Sequence, residues 1–263
     1  MIRAVALRLG ETWAACAIIQ LALWLVARRT RNAGIVDVGW ALSFAIVAIV
    51  LAAGATSAVG AWLPLAIIVV AWSARLGGYL IARGAATGPE DGRYAELRSS
   101  RGAGADAFFL AFFQAQAALV AVLATAFVVP FVIEPHAAWP RGLGTAIAVI
   151  GVCGETIADA QLGRWRRDPA NRGRVCDIGL WGWSRHPNYF FEWLVWLGYA
   201  IYGLAFDYGW IALGGQALIF ATIWKVTGIP ATEAQAVRSR GEAYREYQVR
   251  VSKFVPMPPK FRA

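Results

Sequence analysis

Between residues 159 and 192 the sequence gathers Asp159, Gln161, Arg164, Arg166, Arg167 and Arg174, then the run D-I-G-L-W-G-W-S-R-H-P-N-Y-F-F-E that ends at Glu192. Pro187 cannot sit in a helix interior but suits a first turn, so Ser184 to Asn188 reads as a helix start. The unpaired N–H groups of such a start attract an anion. Asn188 and Glu192 are four apart and share a face of that helix, with Arg185 and His186 at its mouth and Trp181 and Trp183 just before it. These types together suit a phosphate-bearing ligand with rings: cationic donors for phosphate, an amide and carboxylates for hydroxyl or amide groups, and aromatic faces for stacking. The plainer reading of the arginines and tryptophans is positive-inside flanking with an interfacial aromatic belt. It leaves Asn188 with Glu192 unexplained.

A second polar block, A-T-E-A-Q-A-V-R-S-R-G-E-A-Y-R-E-Y-Q, follows Gly228 and Pro230 and carries Glu233, Tyr244 and Tyr247. It reads equally as an interfacial amphipathic helix or as a flap that closes a ligand pocket. Elsewhere Asp37, Arg75, Gln114, Gln116, Glu155 and Gln216 fall inside apolar runs, where ionisable and amide groups face a bundle interior or a wet cavity. Only two histidines are present, and Cys16, Cys153 and Cys176 have no ligand spacing, so neither a metal site nor a disulfide is expected.

The elements that must position these groups are membrane helices. Of 263 residues 59% are hydrophobic and 16% charged, far from the composition of a soluble domain. Apolar runs of spanning length lie near 11–27, 35–56, 60–82, 106–132, 142–162, 187–204 and 208–226, which predicts an all-α integral membrane protein of seven transmembrane helices. In the resulting loops, 21 of the 25 Lys and Arg fall on one side and three on the other, with Arg75 inside a span. By the positive-inside rule the N-terminus is outside and the C-terminus cytoplasmic. The first run reads as a retained helix rather than a signal peptide. No repeat or second soluble domain is visible, so 1–263 reads as one membrane-embedded domain. The net charge of +9 fits a membrane surface or an anionic cofactor rather than nucleic acid.

The run Gly179–Glu192, with A-D-A-Q at 158–161, S-R-G-E-A-Y-R-E-Y at 239–247 and Val255-Pro256, resembles the C-terminal signature of the steroid 5-alpha-reductase and sterol reductase superfamily. More closely it resembles the bacterial branch described as domain of unknown function 1295, with thinner likeness at I-V-D-V-G-W (35–40) and E-D-G-R-Y-A-E-L-R (90–98). The resemblance implies a seven-helix enzyme of the bacterial inner membrane. It would bind NADPH from the cytoplasm in a half covering about 142–263 and reduce a carbon–carbon double bond conjugated to a ketone in a lipophilic substrate. Carried over by position, Asp159, Arg174, Asn188, Glu192, Glu233, Tyr244 and Tyr247 would contact the cofactor, with Arg164, Arg185, His186 and Tyr189 nearby. The steroid reductases polarise the carbonyl with a Gln-Glu pair on the second helix and a tyrosine on the third. Here the matching stretches offer Asp37, without the glutamine, and Tyr79. Asp37 then reads either as a catalytic carboxyl beside Tyr79 or as an interhelical partner of Arg75. Negative charge grows on the carbonyl oxygen as hydride reaches the beta carbon, so a positioned donor is the main catalytic requirement.

Two rivals stand beside this reading. The isoprenylcysteine carboxyl methyltransferases carry a similar R-H-P-x-Y followed by a glutamate and bind S-adenosylmethionine in the same region. In a non-catalytic scaffold or transporter the buried polar groups would be interhelical glue. The expected partners are a lipophilic small molecule and membrane lipid, with no obligate protein partner.

Overall fold

The computed structural model describes residues 2–226 and 228–260, so Arg262 of the basic tail lies outside them. Among the described residues every named element is helical: α1 (Ile2–Thr30), α2 (Ile35–Ala53), α3 (Val59–Ala82), α4 (Gly92–Arg101), α5 (Ala105–Leu123), α6 (Trp139–Arg167), α7 (Pro187–Gly203), α8 (Ala212–Ala221), α9 (Ile229–Arg240) and α10 (Glu242–Arg250). Six helical stretches are long and apolar enough to cross a membrane: Ile2–Thr30, Ile35–Ala53, Val59–Ala82, Gly92–Ala126, Trp139–Arg167 and Gly209–Arg240. The protein is a multi-pass integral membrane protein. The expected run at 187–204 forms α7, whose 17 residues sit at the lower end of what a bilayer requires.

Two local departures from the expected elements have clear causes. Pro130 has no N–H to continue a helix, and the run expected over 106–132 finishes as short 3-10 turns at Ala124–Ala126 and Val129–Phe131. The polar stretch before α5 forms a helix of its own, α4, capped by the Asp91 side chain accepting from the Arg93 N–H.

The chain divides into two compact units, Met1–Arg141 with Gly203–Gly215 and Gly142–Tyr202 with Gln216–Ala263. In the first, the turn between α1 and α2 is tied to the segment before α4. Asn32 Nδ2 donates to Gly88 O at 2.9 Å and the Ala33 N–H to Glu90 Oε1 at 2.8 Å, while Arg98 grips Glu90 bidentately at 2.7 and 3.0 Å. That guanidinium holds the Glu90 carboxyl below the usual carboxylate range.

In the second unit α6 and α7 run antiparallel at near backbone contact. A Cβ on Gly144 would lie 2.5 Å from Tyr202 N and 2.6 Å from Gly198 O, one on Gly151 2.7 Å from Val195 N, and one on Gly154 2.2 Å from the Phe191 ring. Small residues permit this approach, which in lipid replaces the hydrophobic drive between helices. The seam brings the end of α6 to the start of α7 and so sets the site.

Candidate functional site

Asp159 and Asn188 meet where the seam ends, with Asn188 Nδ2 donating to Asp159 Oδ1 at 3.4 Å. Asp159 is 4% exposed and Glu155, one turn back on α6, 3%. Glu192 is half-buried one turn up α7.

The residues leading into α7 are fixed on α6 and α10. Gln161 Oε1 accepts the Leu180 N–H at 2.9 Å, and Trp181 Nε1 donates to Ala158 O at 2.9 Å. Gly179 has φ +56, and a Cβ there would lie 2.5 Å from the Gln161 amide, so this turn requires glycine. The Tyr247 hydroxyl donates to Trp181 O at 2.5 Å and approaches Ser184 O at 3.3 Å.

Arg185 and His186 converge on Glu233 of α9. Arg185 Nε donates to Glu233 Oε1 at 2.8 Å, and its NH1 to Gln248 O at 2.6 Å and Val251 O at 3.2 Å. His186 Nε2 lies 3.3 Å from the same Glu233 oxygen, and Gln248 Nε2 donates to Oε2 at 3.2 Å. Burial lowers the proton affinity of His186, more than its Glu233 contact restores it. The imidazole is therefore neutral at pH 7 and stacks on Tyr189 at 5.6 Å and 13°. The Tyr189 hydroxyl reaches Thr232 Oγ1 at 3.2 Å. Burial, then the nearby Glu233 charge, pushes Tyr244 up to about 12; burial raises Tyr247 further. Both phenols stay protonated.

The start of α7 is not an open anion site. The Ser184 hydroxyl accepts the His186 N–H at 3.1 Å and donates to Phe254 O at 2.7 Å, while the Arg185 N–H donates to Ser252 O at 2.8 Å. Residues 251–257 thus lie as a strap across the helix start, and Ser184 and His186 are buried. Exposed guanidinium groups stand on the neighbouring segments: Arg164 at the end of α6 and Arg174, whose carbonyl accepts from Arg240 Nε at 3.1 Å.

The first unit holds Asp37 and Tyr79. Asp37 Oδ1 accepts from the Tyr94 hydroxyl at 2.7 Å, and Oδ2 lies 3.6 Å from Arg93 NH2. Asp37 lines a cleft of about 180 Å3 with Arg83, Asp91, Arg93 and the Gly84–Ala85 turn. Arg75 and Arg83 lie over the Tyr79 ring at 5.6 and 5.4 Å. Tyr94, which sequence reasoning passed over, is 5% exposed and comes from a short helix whose polar pattern carried no spanning signal.

Comparison with known proteins places the sequence in a family. The model of a protein family of unknown function (DUF1295) matches residues 23–251. An uncharacterized protein of Schizosaccharomyces pombe, C594.04c, is 30% identical over 101 residues, 35% of this chain and 27% of that protein. The chain thus spans about a quarter of that relative's length. No solved structure matches. With the match running from within α1 to the end of α10, the chain belongs to the DUF1295 family.

Proposed function

We propose that this protein is an NADPH-dependent reductase of a conjugated carbon–carbon double bond in a lipophilic enone, akin to the steroid 5-alpha-reductases, with seven spans, an outside N-terminus and a cytoplasmic C-terminus in a bacterial inner membrane. The observation that carries the reading is the convergence of four segments on the first turn of α7: Asp159 on Asn188, Glu233 on Arg185 and His186, Tyr247 on the preceding turn, and the strap on Ser184. Such preorganisation of polar groups is costly in a membrane protein and supports reading this turn as a functional site.

The residues fit the cofactor. Arg164 and Arg174 are exposed and free to turn toward phosphates, for which guanidinium forks are suited. Asn188 and Glu192 supply the amide and carboxylate that a carboxamide or ribose needs. Arg185, committed to Glu233 and two carbonyls, positions the others. Bound NADPH supplies the hydride. Within the first unit taken by itself, Asp37 with Tyr94 is a hydrogen-bonded acid–phenol pair chemically able to donate a proton to a carbonyl oxygen, and Tyr79 under its two guanidinium groups is the alternative donor.

A thermal-shift titration of the purified protein with NADPH, NADH and S-adenosylmethionine tests this, because a ligand that binds only the folded state raises its stability. Selective stabilisation by NADPH is expected, with Asn188→Ala and Glu192→Gln each weakening it about tenfold, the worth of one charge-assisted hydrogen bond. Selective stabilisation by S-adenosylmethionine would replace the reading with methyl transfer. Nucleotide affinity unchanged in both variants would remove the site.

A further inference from the structure

The strap over α7 turns a second surface outward. The Met257 N–H donates to Trp183 O at 3.0 Å, and Phe254 packs on Trp224 at 5.6 Å between ring centroids. Trp183, the strap and the π-helical turn Thr222–Val226 after α8 therefore form one face. On it Trp183, Val255 and Met257 are about half exposed, at 49%, 48% and 52%.

Lysines flank this face. Lys253 Nζ sits 4.7 Å over the Trp224 ring, Lys225 follows Trp224 and is exposed, and Lys260 is exposed three residues after Met257, its N–H donating to Arg250 O at 2.9 Å. Residues 251–260 contain no acid, and none occurs between Asp207 and Glu233. The face lies directly before the first turn of α7 and at the π-helical turn Thr222–Val226 that follows α8, so it stands at the boundary of both apolar stretches. Half-exposed apolar side chains interleaved with lysines at that boundary match the interface of a bilayer whose headgroups are negative. A free anion would satisfy the lysines and leave the tryptophan and methionine in water; a zwitterionic surface would do the reverse.

We propose that this face docks on anionic phospholipid headgroups, with Trp183, Val255 and Met257 in the interface and Lys225, Lys253 and Lys260 on the phosphates. The proposal is independent of the reaction the protein catalyses.

The test is native mass spectrometry of the full-length protein titrated with phosphatidylglycerol or phosphatidylcholine of identical chains. Phosphatidylglycerol is expected to be retained about 125-fold more strongly, about fivefold for each of the three lysines. K225Q/K253Q/K260Q should abolish that preference, since each lysine near an anionic surface is worth about fivefold. Because Lys253 also packs on Trp224, K225Q/K260Q keeps that contact and should still lower the preference about 25-fold. Trp183→Gln should weaken both lipids alike. Equal retention of the two lipids by the wild type, a preference that survives in the folded double variant, or displacement of phosphatidylglycerol by millimolar inorganic phosphate would overturn the proposal.

Discussion

His186 shows how one buried side chain can set the stability of a site. Its proton affinity lies below the ordinary value of 6.5 because burial outweighs the attraction of Glu233, with Arg185 and Lys253 adding repulsion. Above pH 6.5 the ring is neutral folded or unfolded and contributes no pH dependence. As pH falls through 6.5 the unfolded chain takes up a proton that the folded site resists, so stability drops. The apparent melting temperature of the purified protein should fall on acidification from pH 6.5, and His186→Gln should flatten that part of the profile. An unchanged slope in the variant would mean that His186 is not the group responsible. The sequence made His186, Asn188 and Asp159 legible because a proline-started helix and a four-residue spacing are local signals. It did not reveal Gln248, Ser252 or Tyr94, whose importance comes from what they touch: Glu233, Arg185 and Asp37, at separations of 15, 67 and 57 residues.

At the scale of elements, the α6–α7 seam does the positioning. Gly144, Gly151 and Gly154 line one helix, and Gly198, whose own Cβ would lie 2.6 Å from Ala148 N, answers from the other. Backbone atoms cannot yield as a side-chain tip can, so Gly198→Val should cost about 1–3 kcal/mol of stability, the usual range for overpacking. The same substitution should loosen nucleotide binding, because the seam carries Asp159 to Asn188. Gly163→Ala, on α6 with open space at its Cβ position, is the control and should lose no stability, gaining up to about 1 kcal/mol from alanine's helix propensity. Thermal denaturation of both variants in one detergent checks the pair, and equal losses would show that the seam is not the cause. Hydropathy located the six long membrane helices because each contains a long apolar run. It could not show that glycines of α6 and α7 face each other, since in an apolar stretch a glycine is one more small residue. The break at Pro130 and the short helix α4 escaped for related reasons: the first interrupts the backbone while hydropathy continues, and the second is too polar and too short to stand out.

For the whole molecule the most direct expectation is topological. Reporter fusions after Ser57, Pro135 and Asp207 should be active outside the membrane and those after Gly88, Asn171 and Gly241 inside; a reversed signal at any adjacent pair would change the number of spans. This arrangement rests on the asymmetry of Lys and Arg, a property of the entire chain that no single loop displays. The division into two compact units, by contrast, left no mark in composition, because 203–215 joins the first unit from within the second half of the sequence.

The strap also gives the site a history in time. Ser184 and Phe254, which hydrogen-bond to each other, are 70 residues apart, and at roughly 5–20 residues per second a ribosome takes about 4–14 seconds to make the second after the first. For about the first two-thirds of that interval α7 stands with Arg185 and His186 at its head and Glu233 not yet made, and residues 251–254 follow only at its end. The nascent helix must therefore wait with a charged and a polar residue uncovered, and whatever shields them then, be it headgroups, water or the insertion machinery, is a passing substitute for the strap.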